Sequence, residues 1–505
     1  MSIAKDSTKG DRIAMGDATN KVDYEDANDA RAYLADADEL EAAVQGDAVF
    51  GEINEEGPNY KNVSLLGTVM LMVKAQIGLG VLSIPSVFQA LGLVPGVILL
   101  LFIGCLTHWA GYMVGKFKLR HPEVYSVADV GYMIGGRVGR EFMAISYWLF
   151  MTCIAGSGML GISIALNAIS SHGTCTAAFV AIAAIIVFAV SSIQTLEKLS
   201  WISWVGVIAI TVSLMIVTIG VGIQDRPAAA PQVGDWMKDV VIFGKPSFAT
   251  AMSSVGSLLF AFAGMPSYFA VVAEMRDPRQ FPLALFITQM FMYALYLAVG
   301  IVVYWYCGQY VASPALGSAG PLLKKIAYGI VLPALIASSV LYTHMPAKYL
   351  FVRILRGTDD LSKNTKKHYI VWFSCVAGCT LFSYVIARYV HYPIARVDEV
   401  LTCTPSLDSA IPVFGGLVGL IGALLGSILC LSMESAMWFY DFFSLRKTDK
   451  SFKYRALFAW AAFVGFCGIF ICGAGTYGAV EDIQIGYAAN GGTTPWSCAD
   501  NSGTI

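Results

Sequence analysis

Long apolar runs, each able to cross a lipid bilayer as a helix, dominate this chain, and no other feature limits its fold so severely. A hydrocarbon core about 30 Å thick takes roughly 20 helical residues. Eleven such runs lie near 65–91, 94–115, 141–169, 176–194, 199–223, 248–273, 282–308, 324–346, 369–388, 410–432 and 456–480. Backbone polar groups in lipid must be satisfied within the element that carries them, so the runs predict an all-α membrane protein with eleven transmembrane helices. Of the 505 residues, 56% are hydrophobic and only 13% charged. The charges gather between the runs, which excludes a set of water-solvated domains.

Placement of the basic residues predicts orientation, because cytosolic flanks carry the Lys/Arg excess. With the N-terminus inside, 25 of the 33 Lys and Arg fall in cytosolic pieces. The seven outer ones are Arg226, Lys238, Lys245, Lys324, Lys325, Arg388 and Arg396, and Lys74 lies within a run. An odd number of spans places the C-terminus outside, and no Lys or Arg follows Ala479. A net charge of -2 gives no reason to expect a nucleic-acid partner.

Residues 1–60 read as a flexible cytosolic tail, Ala-rich enough between Ala30 and Val49 to form a transient helix, with no cleavable leader. Asn62 begins an Asn-Val-Ser sequon, but on the cytosolic side, where glycosylation does not occur. The 11 cysteines show neither CxxC pairs nor Cys/His metal spacing, so no metal site or cofactor is expected. Cys175, Cys403 and Cys498 fall outside the membrane; an oxidising exterior would pair two of them, or all three stay free.

The first run, Val69 to Gly92, is interrupted at its middle by Gly78-Leu79-Gly80-Val81-Leu82-Ser83-Ile84-Pro85. Glycine tolerates non-helical angles, and Pro85 cannot donate to the Val81 carbonyl, so the helix opens there. Small residues can also merely allow helices to pack closely. The sixth run breaks in the same way at Gly264-Met265-Pro266. Irregular backbone at membrane depth belongs beside a cavity, and interrupted spans in corresponding positions point to an inverted-repeat transporter. The predicted organisation is a first five-helix repeat over 61–223, a second over 224–432, and an eleventh helix with an outer tail over 433–505. Half-helix N-termini suit a carboxylate and unwound carbonyls suit an ammonium, so one amino-acid zwitterion satisfies both. Phe260, Phe262, Tyr268 and Phe269 surround the second break, as pocket walls for an apolar or aromatic substrate or as simple packing.

Three segments carry a family resemblance: KAQIGLGVLSIPSVFQALG in the first span, FAFAGMPSYFAVVAEMRDPRQF from Phe260 to Phe281, and DAVFGEINEEGPNYKNVSLLGTVML from Asp47 to Leu71. With the Glu-Met-x-x-Pro piece at Glu274 to Pro278, they resemble the amino acid/auxin permease family, and within it the neutral amino acid permeases of filamentous fungi. The resemblance covers nearly everything from Asp47 onward. It implies a LeuT-like 5+5 fold plus one helix, and proton-coupled symport of neutral aliphatic and aromatic amino acids; the plasma membrane is the expected location, though no motif selects it. By the same resemblance the substrate lies against Gly78, Leu79, Gly80 and Val81 in the first span and Phe262, Ala263, Gly264 and Met265 in the sixth.

Lys74 is the single Lys or Arg inside an expected span, about 14 Å beyond its cytosolic start at 1.5 Å per residue. Left isolated there it would cost at least about 2.5–3.5 kcal/mol, so it must face the bundle, find partners, or lose its proton. Some relatives coupled to sodium carry an asparagine four residues before the first glycine; a lysine in its place puts an ammonium where a metal ion would bind. Its proton would then link transport to a gradient, with Ser338 and Ser339 in the eighth span as acceptors. The alternative is a lysine that snorkels to the cytosol or merely ties helices together. Glu274, near a cytosolic helix end, reads equally as a gate salt bridge and as a solvated cap, and Glu434 is similar. His108 and His344 lie within spans, where a lone histidine usually bonds a neighbouring helix. No reactive cluster suggests an enzyme. The rival readings are an amino acid sensor on a transporter fold and an organellar, vacuolar exporter.

Overall fold

The computed structural model describes residues 46–47, 51–52, 62–194, 196–361, 363, 365–389, 412–447, 450–490 and 498. Nearly all of the expected tail over 1–60, with its Ala30–Val49 stretch, lies outside them, as does Cys403.

The first span is split into α1 (Leu65–Gln76) and α2 (Ile84–Leu91), bent by 44° relative to each other. Continuous helices follow: α3 (Leu93–Arg120), α4 (Val127–Ser170), α5 (Thr176–Ser191) and α6 (Leu196–Ile223). The sixth run is again divided, into α7 (Phe248–Ala261) and α8 (Tyr268–Glu274). Next come α9 (Phe281–Cys307), α10 (Pro321–Leu355) and α11 (Lys366–Tyr389). The tenth run is α12 (Pro412–Ile421), two π-helical turns at Gly422–Gly426 and Ile428–Ser432, and α13 (Met433–Phe442). The eleventh is α14 (Phe452–Phe470), a π turn at Ile471–Gly475, and α15 (Thr476–Asn490).

Among the described residues, nine helices are long and apolar enough to cross a membrane, ten when the bent pair α1 and α2 counts as one span. The apolar α5, at 16 residues, is shorter. Apolar residues cover the outside, as lipid requires: Ile98, Ile185, Trp201, Phe286 and Phe466 are all exposed. The long α10 packs along α4, α6 and α11, and α1 is wedged between α6, α9 and α10.

Two predicted boundaries move. Residues between the second and third runs are not simply loop: α4 starts at Val127 and turns at Gly135 and Gly136, where the backbone leaves helical angles (Gly136 φ 60°). The eighth span does not stop at Pro346 but continues to Leu355. Proline inside a membrane helix is tolerated where neighbouring groups take up the freed carbonyl. Lys348 therefore lies within a helix and is buried, so Lys74 is not the only buried intrahelical lysine.

The chain turns from α2 into α3 at Gly92, whose φ of 90° and contact with Gly244 leave no room for a side chain. The loop after α6 covers this corner through Leu93 N–H to Val241 O (3.0 Å), Val94 N–H to Ile242 O (3.1 Å) and Gly244 N–H to Leu91 O (2.9 Å). A disulfide joins Cys175, just before α5, to Cys498 in the C-terminal tail.

Candidate functional site

Both breaks arise as the glycines predict, but the prolines act differently from expectation. α1 ends at Gln76; Ile77 (φ −76°, ψ 60°) and Gly78 (φ −97°, ψ −139°) are not helical, and the chain resumes as a 3-10 turn, Leu79–Ser83. Pro85 stands in the first turn of α2, where a missing N–H costs nothing. In the sixth span α7 ends at Ala261, Phe262 leaves the helix (φ −100°, ψ 3°), and Pro266 opens the 3-10 turn Met265–Ser267. The prolines thus start the second half-helices. In both breaks a serine three residues on donates to the glycine carbonyl: Ser83 to Gly80 O (2.8 Å) and Ser267 to Gly264 O (2.6 Å).

The breaks cross each other reciprocally. A Cβ on Gly80 would meet Ala261 Cα at 2.5 Å, and one on Gly264 would meet Gln76 Cγ at 2.9 Å. Each half-helix end, Gln76 and Ala261, is opposed by a glycine from the other break. Gly78 differs: among the described residues nothing lies within 4 Å of where its Cβ would be, so the backbone there faces open space. Val81, Phe262, Ala263 and Met265 are buried around the crossing.

Tyrosines from neighbouring spans bind the exposed ends. Tyr296 of α9 donates toward both Gln76 O (3.2 Å) and Ala261 O (2.7 Å), tying together the last carbonyls of α1 and α7. Its ring packs edge-on against Phe262, centroids 5.1 Å apart. Tyr342 of α10 donates to Ala75 O, and Gln76 Nε2 donates to Tyr268 Oη (2.5 Å). Of these partners only Tyr268 stands out in the sequence, through its place next to the break.

Lys74, one half-turn before the end of α1, is fully buried, and its ammonium has no hydrogen-bond partner among the described residues. A Cβ on Gly206 of α6 would lie 3.0 Å from Lys74 Cε and 2.9 Å from Ala337 Cβ of α10, so the side chain runs into the seam between the first, fifth and eighth spans. It neither snorkels to water nor pairs with a carbonyl. Ser338, next to Ala337, is buried with a free hydroxyl. Ser339 faces elsewhere: it donates to Leu335 O (2.9 Å) and packs against Gly158 of the third span.

Glu274 is no solvated cap. It forms an ion pair with Lys348 of α10, both side chains being at most 3% exposed. The Glu274 carbonyl accepts from Val63 N–H (3.0 Å), Arg276 N–H donates to Val63 O (2.9 Å), and the Arg276 guanidinium donates to Asn62 Oδ1 (2.6 Å). The strand entering α1, the end of α8 and α10 are thus fastened at one point. His344 meets Ser191 O of α5 (3.3 Å), the helix-to-helix role expected of it.

The match to known families decides what this architecture belongs to. Residues 61–392 match the family described as transmembrane amino acid transporter protein. The chain belongs to that family. A "Transmembrane transporter" of Fusarium pseudograminearum is 32% identical over 459 residues, 90% of this chain and 91% of that protein. The "N amino acid transport system protein" of Neurospora crassa is 30% identical over 442 residues, 86% and 87% of the two chains. Among solved structures, MhsT in complex with L-phenylalanine superposes with a TM-score of 0.51 at 10% identity, covering 84% of this chain and 98% of that one. At that identity the likeness shows the fold alone, which is LeuT-like. The chain is an amino acid transporter, not an enzyme.

Proposed function

We propose that this transporter is a proton-coupled symporter that takes up neutral aliphatic and aromatic amino acids across the plasma membrane by alternating access. The observation that carries the reading is the reciprocal crossing of two mid-span breaks, with open space beside Gly78 and, among the described residues, an unpartnered lysine about one turn before it. Half-helix ends offer N–H groups to a carboxylate and carbonyls to an ammonium, while Val81, Phe262, Ala263 and Met265 supply apolar walls. The Neurospora relative's name and the phenylalanine bound in MhsT point the same way.

The eleven-span count follows when α5 and the bent pair each cross the membrane, and the 5+5 repeat follows from the matched breaks. The Cys175–Cys498 bond supports this count, since it needs both cysteines on one side and therefore an even number of spans between them. Spans four to eleven supply eight. An oxidised bond there favours an outer face for the C-terminus.

In this reading the Lys74 ammonium stands in for a coupling cation between spans one, five and eight, and Ser338, likewise unpaired among the described residues, is the acceptor it would reach when the spans move. Glu274 and Lys348 hold the inner gate shut. The test is uptake of labelled leucine or phenylalanine into proteoliposomes under an imposed pH gradient, with and without sodium, and with unlabelled neutral, basic and acidic amino acids as competitors. Accumulation driven by the pH gradient and blocked by neutral competitors is expected; binding without accumulation would mark a sensor. Lys74→Met should abolish accumulation, and unchanged gradient-driven uptake by that variant removes Lys74 from the coupling.

A further inference from the structure

The tenth span carries an ionisable group that the transport reading above does not use. Glu434 lies in the first turn of α13, 2% exposed. Its Oε2 has no hydrogen-bond partner, and among the described residues the carboxyl group joins no ion pair. The sequence reading of a solvated helix end fails because α13 continues eight residues further, about 12 Å, to Phe442, and the turn that carries Arg446 and Lys447 begins only after it.

Neighbouring cations are committed elsewhere or exposed. On α3, Arg120 and His121 hold Asp441 (2.9 and 3.0 Å), Lys118 donates to Pro122 O (2.6 Å), and Lys116 lies over the Tyr112 ring; His108 is only half-buried. On α4, Glu141 pairs with Arg353, and Arg137 is exposed. On α14, Lys453 and Arg455 are exposed and Tyr454 Oη donates to Phe442 O (3.1 Å). Arg446 and Lys447, after α13, are exposed.

Position ties this carboxyl to the crossing. The Met265 N–H in the second break donates to the thiol of Cys430, four residues before Glu434, and a Cβ on Gly426 would lie 3.9 Å from Ala263 Cβ. Of the two π-helical turns just before α13, the first packs against α7 and the second against the turn Met265–Ser267 of the second break; such turns recur at functional sites. With one oxygen unmet and no cation beside it, an ionised carboxylate is not tolerated in such packing, whereas the acid is.

We propose that Glu434 is a proton-binding residue of the transport cycle, carried as the acid while span ten is closed on the second break and ionising when the inner pathway admits water. The O–H bond forms with a proton taken from outer water and breaks by giving that proton to cytosolic water, so no other reactant is required. The inference rests on the proton-coupled reading and adds to it a group on the side of spans six and ten, away from Lys74.

Proteoliposomes containing Glu434→Gln, which keeps the shape of the acid but cannot ionise, decide it. Expected are loss of pH-driven accumulation of labelled phenylalanine, retained counterflow exchange at equal pH, and an exchange rate no longer dependent on pH. Glu434→Asp, which keeps a titrating carboxyl, should still accumulate substrate. Accumulation by Glu434→Gln equal to the unmodified protein overturns the assignment, and so does joint loss of exchange in both variants, which marks a packing role. Failure of the unmodified protein to respond to any pH gradient brings down the proton-coupled reading itself, and this inference with it.

Discussion

At Gly78 and Gly80, two residues apart, the same substitution should have opposite consequences. Gly80→Ala drives a Cβ to 2.5 Å from the Ala261 backbone, where nothing flexible can yield. Overpacking of that kind costs about 1–3 kcal/mol, so a lower melting temperature and lost uptake are expected. Gly78→Ala enters open space, so it should fold normally and instead weaken uptake of bulky substrates, read as a raised KM for phenylalanine relative to alanine. Equal melting-temperature losses in both variants would refute the distinction. Tyr296→Phe removes the hydroxyl shared by Gln76 O and Ala261 O. Leaving buried acceptors unmet costs about 1–3 kcal/mol, measurable as a fall in thermal stability of the detergent-solubilised protein. The glycines of both breaks were legible because glycine and proline act on the backbone of their own segment. Tyr296 and Tyr342 were not, since 24 tyrosines occur in the chain and neither of these lies near a break in sequence.

Between elements, the decisive contact joins α8 to α10 through Glu274 and Lys348. Glu274 drew notice in the sequence because of its helix-end position, but its partner did not: Pro346 reads as a stop, and a lysine two residues beyond a stop reads as loop. Only a helix continuing to Leu355 carries Lys348 into the bundle, 74 residues from Glu274. Glu434 was misread by the same logic, because α13 outruns the apolar run that announces it. Removing one member of a buried pair strands the other charge at a cost of about 3–5 kcal/mol, whereas replacing both with apolar groups is often near neutral. Glu274→Leu and Lys348→Met should therefore each destabilise strongly, and the double variant should recover most of the loss in melting temperature. Because the recovered protein lacks the tie between α8 and α10, it should still transport poorly, with cysteines near the broken tie labelled faster by a thiol-reactive probe. A double variant as unstable as either single one would show that the two residues act separately.

For the molecule as a whole, orientation and membrane rest on the Lys/Arg tally and on one covalent link. The tally uses charges spread over every loop and is therefore readable from sequence, but pairing among Cys175, Cys403 and Cys498 depends on where the tail after the last span returns, which no local pattern encodes. The Cys175–Cys498 bond places the start of α5 and the tail on one face of the membrane. If that face is the cell exterior, a maleimide that cannot cross membranes should label Cys175 in intact cells only after treatment with an equally impermeant reductant. Cys175→Ser should abolish the reductant-dependent labelling at that position and leave Cys498 reactive without reduction. Labelling that appears only after the cells are opened would place this face in an organelle or in the cytosol. Those two differ again in the need for reductant, since the cytosol keeps thiols reduced. A single pair of cysteines thus tests the parity of eight spans, the direction of the bundle and the membrane in which it works.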